Sequence, residues 1–138
     1  LLVLFIINLS CSEEPPTKIS PYEETQLIGY SSSDSCLPYY RQSGDSAEVE
    51  IEVDSFDINI THKNAILNCC LDSIDVEFVE AGDTLKLYET EVSLYGMLCT
   101  CLCPYEINAI IGVSESGVYI IEIFTEGRLV YQKWVEVL

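Results

Sequence analysis

Basic residues are scarce in this 138-residue chain: six Lys and Arg stand against 23 Asp and Glu, for a formal net charge of −17. That excess repels phosphate, and no Lys/Arg cluster offsets it, so nucleic-acid binding and docking on anionic membranes are both disfavoured. Histidine is scarcer still, with His62 alone, so any Ser/His/Asp or Cys/His scheme would hinge on that residue. Carboxylate pairs such as Glu13-Glu14 and Glu23-Glu24 lie in Pro-containing stretches where nothing raises a pKa for acid catalysis. A Cys-x-x-Cys pair at a helix start, the usual device for lowering a thiol pKa, is absent. No stretch of ten residues carries helical periodicity with caps. The chain therefore reads as a non-enzyme without helices.

What is present is a strand pattern. Ala47, Val49, Ile51 and Val53 alternate with Glu48, Glu50 and Glu52, the two-residue period of a half-buried strand. Phe56, Ile58, Ile60 and His62 alternate with Asp57, Asn59 and Thr61, and Ile74, Val76 and Phe78 with Asp75 and Glu77. Gly82-Asp83 turns the chain before Leu85 and Leu87; Glu126-Gly127 reads as a hairpin turn between the apolar run 117–124 and Leu129–Val137. Seven to nine short strands over residues 46–138 predict an all-β fold, an antiparallel β-sandwich, with a small β-barrel as the alternative. The Gly117-x-Tyr119 strand and its closing hairpin resemble the last two strands of immunoglobulin-like or fibronectin-like domains. Tyr119 and Trp134 are expected in the core.

The N-terminal part differs. Leu1 to Leu9 is apolar but, at about nine residues, far too short to cross a bilayer of about 30 Å, and it has the length of a signal-peptide core. It ends at Ser10-Cys11, which resembles the lipobox of bacterial lipoproteins, although Asn8 and Leu9 depart from the usual residues. The resemblance implies a partial signal peptide over 1–10, lipidation of Cys11 and a membrane partner reached through that lipid. Cys11-Ser12-Glu13-Glu14 resembles the tract that sends some lipoproteins to the surface of the outer membrane, so the bacterial cell envelope is the expected location. Residues 11–45, with Pro15, Pro16, Pro21 and the serine run 31–33, have the composition of an extended tether.

Six further cysteines remain: Cys36, Cys69, Cys70, Cys99, Cys101 and Cys103. An even number in an exported chain points first to disulfides. If 97–111 is extended, Met97, the three odd-numbered cysteines, Tyr105, Ile107, Ala109 and Ile111 share one apolar, core-facing side. Residues two apart on a strand lie about 6.6 Å from one another, beyond the reach of a disulfide, so each cysteine of the triplet needs a partner elsewhere. Cys69 and Cys70 are adjacent and face opposite ways. Cross-pairing of these two with the triplet, with Cys36 pinning the tether, is the natural solution. Fifteen connectivities stay open.

The competing reading is a zinc or copper site made from His62, Cys69, Cys70, Cys99, Cys101 and Cys103. Sulfurs around one zinc lie under about 4 Å apart, so only a curled triplet would serve. The motifs Asn68-Cys69-Cys70 and Cys99-x-Cys101-x-Cys103-Pro104-Tyr105 are similar to a pattern in uncharacterised exported lipoproteins. That implies a shared structural core and no activity. The functional expectation is a membrane-anchored structural or binding module without cofactor, contacting a protein or glycan.

Overall fold

The computed structural model describes residues 17–36 and 47–138. Within them the chain forms eight strands: β1 (Gln26–Ser32), β2 (Val49–Asp54), β3 (Asp57–Asn68), β4 (Ser73–Ala81), β5 (Thr84–Val92), β6 (Leu102–Gly112), β7 (Gly117–Thr125) and β8 (Arg128–Val137). They build two four-stranded sheets, in the orders β1-β6-β3-β2 and β4-β5-β7-β8. The sheets pack face to face as a β-sandwich, and no barrel closes.

The alternation seen in the sequence decides which side of each strand is inside. Ile58, Ile60 and His62 of β3, Leu85, Leu87 and Glu89 of β5, and Tyr119, Ile121, Ile123 and Thr125 of β7 are buried. Their even- or odd-numbered neighbours face water. Fully burying one such aliphatic side chain contributes about 1.5–3 kcal/mol, so a one-residue slip of any central strand would forfeit several of these at once. Turns fall where Gly and short polar residues allow them. Gly82, Glu126 and Gly127 all take positive φ, as tight two-residue hairpins require.

The expected sandwich stands with one refinement, and three further expectations need correction. β5 and β7 run parallel, so the second sheet is mixed rather than antiparallel throughout. The stretch 11–45 is not tether along its length: Gln26–Ser32 is an edge strand paired with Gly112–Ile107 of β6. Polar anchors hold the residues before it, with Ser20 Oγ donating to the Val113 carbonyl at 2.6 Å and the Tyr22 hydroxyl to Asp57 at 2.5 Å. An edge strand secured by main-chain bonds on one side needs little apolar alternation, which is why its pattern was faint.

Trp134 is 65% exposed, whereas Tyr119 is buried as expected. The run 129–137 has apolar residues at both parities, and the register puts Val135 and Val137 inside and Trp134 outside. Lastly, β6 starts only at Leu102. Cys103, Tyr105, Ile107, Ala109 and Ile111 are buried as the alternation requires, while Cys99 and Cys101 lie exposed in the preceding loop and Met97 is 73% exposed. Residues 1–16 and 37–46, including the proposed lipidation site Cys11, lie outside the described residues.

The register gives the sandwich two distinct ends. β6 runs about 33 Å from Leu102 to Gly112 at the usual rise per residue. The described chain begins at the Gly112 end, where Ser20 meets Val113. The β3–β4 turn and the β5–β6 loop both sit at the Leu102 end, since Asn68 pairs with Leu102 and Ser73 with Val92.

Candidate functional site

All six candidate cysteines meet at the Leu102 end. Three disulfides join Cys36 to Cys103, Cys69 to Cys101 and Cys70 to Cys99, with Cα separations of 5.7, 5.7 and 5.5 Å. These spans suit disulfide bonding. The cross-pairing reasoned from the spacing is the one found. Adjacent Cys69 and Cys70 form twin staples that clamp the β3–β4 turn to the loop before β6. The separate Cys36–Cys103 bond ties the segment after β1 to the core strand β6.

Asn68 organises this end. The residue is buried, and its Nδ2 donates to the Cys99 carbonyl at 2.8 Å. Its Oδ1 accepts from the backbone N–H groups of Cys70 at 2.9 Å and Cys99 at 3.1 Å. One amide thus spans the two segments that the staples join. The Asn68 backbone N–H donates to Glu91 Oε1 at 2.5 Å, and its carbonyl accepts from the Tyr105 hydroxyl at 3.2 Å. Burial, followed by the charge of Glu91, raises the Tyr105 pKa above its ordinary 10.0. The sequence motif contained Asn68, but nothing local marked its side chain as the brace.

The loop that the staples hold is unusual for so acidic a chain. Between Glu91 and Glu106 there is no charged residue. Leu94, Tyr95, Met97 and Leu98 are exposed by 74, 81, 73 and 57%, and Leu102 by 64%. Such a concentration of exposed apolar side chains is uncommon on a protein surface. Acidic groups rim it: Asp72 Oδ2 accepts from the Leu94 N–H at 2.7 Å, and Glu126 Oε1 accepts from the Glu91 N–H at 2.6 Å. Beside the loop an open cleft of about 430 Å³ is lined by Ser33, Asp34, Cys36, Leu71, Asp72 and Tyr105 among others.

His62 sits elsewhere. It points inward between the sheets, its Nδ1 at 2.9 and 3.0 Å from the two carboxylate oxygens of Glu89, and Thr125 Oγ1 donates to the same carboxylate at 2.7 Å. All three residues are buried. The irregularity between His62 and Ala65 in the β3–β6 pairing shifts the strand just past this point. Here Lys63 leaves the core to meet Glu50, which together with Glu48 raises its pKa, Glu50 most. Among the described residues, the group able to hold a metal is Cys69, Cys70 and Cys101. His62 is not in it.

The fold and these bonds define a disulfide-cross-linked, two-sheet β-sandwich. Comparisons with family models, curated proteins and solved structures found no match to the chain.

Proposed function

We propose that this chain is an exported, lipid-anchored binding module that offers its stapled apolar loop to a partner protein. The observation that carries the reading is the pairing of exposure with rigidity: four large apolar side chains between residues 94 and 98 stand in water on a loop clamped by two disulfides. A preorganised loop loses little conformational freedom on docking, which favours affinity. Its chemistry specifies the partner's. An apolar hollow with a basic border complements an apolar tip rimmed by Asp72, Glu91 and Glu126.

The anchored reading rests on the lipobox resemblance at Cys11, with which the direction of the chain is compatible. The described residues start at the Gly112 end, about 33 Å along β6 from the stapled loop. An anchor at Cys11 would therefore leave the loop facing away from its own membrane. The charge of −17 works against insertion into anionic lipid.

The test places a photo-crosslinking residue at Tyr95 or, as a control, at Val118 in cells exporting the full chain. The expected result is a discrete protein adduct from position 95 only. The purified adducted partner should then bind the wild-type chain at least about tenfold more tightly than the Leu94→Ser, Met97→Ser double variant. Adducts to lipid alone, equal adducts from both positions, or unchanged affinity of the variant would overturn the docking reading. Anchoring is checked by detergent partition: Cys11→Ser should move the protein to the aqueous phase.

A further inference from the structure

The twin staples bring three sulfurs into one small group, with a fourth bonded to one of them. The Sγ atoms of Cys69, Cys70 and Cys101 lie within 4.8 Å of one another, and Cys99 Sγ is bonded to that of Cys70. Around a tetrahedral zinc ion with bonds of about 2.3 Å, thiolate sulfurs sit just under about 4 Å apart. To fit, the two bonded pairs must open to that spacing once reduced, while the unbonded sulfurs of the grouped three close in from 4.8 Å at most. Cys70 and Cys101 are exposed and Cys69 half-buried, so solvent, reductant and an ion all have access.

The frame around them has hydrogen bonds in addition to the sulfur bonds. Asn68 spans the two segments through three hydrogen bonds. The Cys69 N–H donates to the Cys101 carbonyl at 3.3 Å, and β3–β6 pairing fixes Leu67 opposite Cys103 and Asn68 opposite Leu102. Cutting the staples leaves the four cysteines facing one another. Cys36–Cys103 stands apart, because Cys103 points into the core.

We propose that, when the two staples are reduced, Cys69, Cys70, Cys99 and Cys101 bind one zinc-class cation as a tetrathiolate, so the apolar loop stays clamped in either redox state. The reduction balances with a dithiol as co-reactant. Each staple gains two electrons and two protons, and each dithiol leaves as its own disulfide. The four thiols then release four protons as the divalent ion binds. This inference does not rest on the docking reading; either can fail alone.

The experiment uses the full chain, exhaustively reduced with dithiothreitol and stripped of it by gel filtration under argon, then titrated with Co²⁺. Saturation at one equivalent with the charge-transfer and d–d bands of a tetrahedral thiolate complex is expected, bleached by one equivalent of Zn²⁺. Cys70→Ser should abolish the tetrathiolate spectrum, and a Cys36→Ser, Cys103→Ser variant should retain it. If reduction alone lowers the strand signal in circular dichroism, Zn²⁺ must restore it. Absence of a one-to-one complex, an unaffected Cys70→Ser spectrum, loss of the spectrum in the Cys36/Cys103 variant, or failure of Zn²⁺ to restore the lost signal would each overturn the proposal.

Discussion

Removing one of the twin staples should cost far less than removing both. In an otherwise open chain, closing the separation of 29 residues between Cys70 and Cys99, or of 32 between Cys69 and Cys101, removes unfolded-state entropy worth about 3.7 kcal/mol. Once either bond exists, the other closes a ring of only about five residues, 69–70 and 99–101, and the same relation gives about 2 kcal/mol. Replacing Cys70 and Cys99 together by Ser should therefore destabilise the protein by about 2 kcal/mol, and so should replacing Cys69 and Cys101. The quadruple variant should lose roughly 6 kcal/mol, more than the two pairs added, because each bond shortens the loop the other must close. Three of the four positions are exposed, so lost packing adds little. The assay is urea unfolding followed by far-UV circular dichroism under oxidising conditions, with the slope fitted freely because longer free loops expand the unfolded chain. Strict additivity, or a loss near 4 kcal/mol from one pair alone, would refute the ring argument.

Other outcomes follow from single residues. Glu89→Ala leaves buried His62 and Thr125 without their shared acceptor and should cost about 3 kcal/mol, with Glu89→Gln milder; urea midpoints rank the two. A Cβ at Gly112 would lie 2.5 Å from the Tyr22 ring, so Gly112→Ala should displace that ring from Asp57. The hydrogen bond to Asp57, the main cause of the raised Tyr22 pKa, is then lost, and spectrophotometric titration should show one tyrosine returning toward 10.0. Tyr105 keeps its proton in the folded state where the unfolded chain releases it. Its contribution is therefore complete below its ordinary 10.0 and disappears as pH climbs through the raised folded value. The urea midpoint should fall as pH rises from 10.0 towards the raised folded value, and less steeply in Tyr105→Phe.

The inward faces of β3, β4, β5 and the second half of β6 were legible because their apolar residues sit strictly two apart. The same arithmetic put His62 inside, and inside it is. Its partners were not legible: nothing in the sequence pointed to Glu89, although it shares the parity of buried Leu85 and Leu87. Trp134 was misplaced because β8 carries apolar residues at both parities, and only the register with β7 separates them. β1 was hidden by its serines and Gly29, since an edge strand is held by main-chain bonds that composition does not record. The length argument sent the triplet's cysteines to partners elsewhere but left the exact pairing open, and the loop's exposure was not legible at all. Alternation through Met97, Cys99 and Cys101 described a strand that begins five residues after Met97, at Leu102.

The parallel seam between β5 and β7 carries a consequence for how the molecule assembles. Hairpins β2–β3, β4–β5 and β7–β8 are local and form early, but the parallel seam, like the pairing of β6 with β3 in the opposite layer, joins strands remote in sequence. β6 is thus the late insert that joins β1 to β3 within its own layer, and three of the six paired cysteines lie at its leading end. Sulfur oxidised before that insertion would choose among fifteen arrangements with little to guide it. Correct cross-linking must trail the docking of one strand, which makes the timing of oxidation, more than its extent, the step on which a good yield of this protein turns.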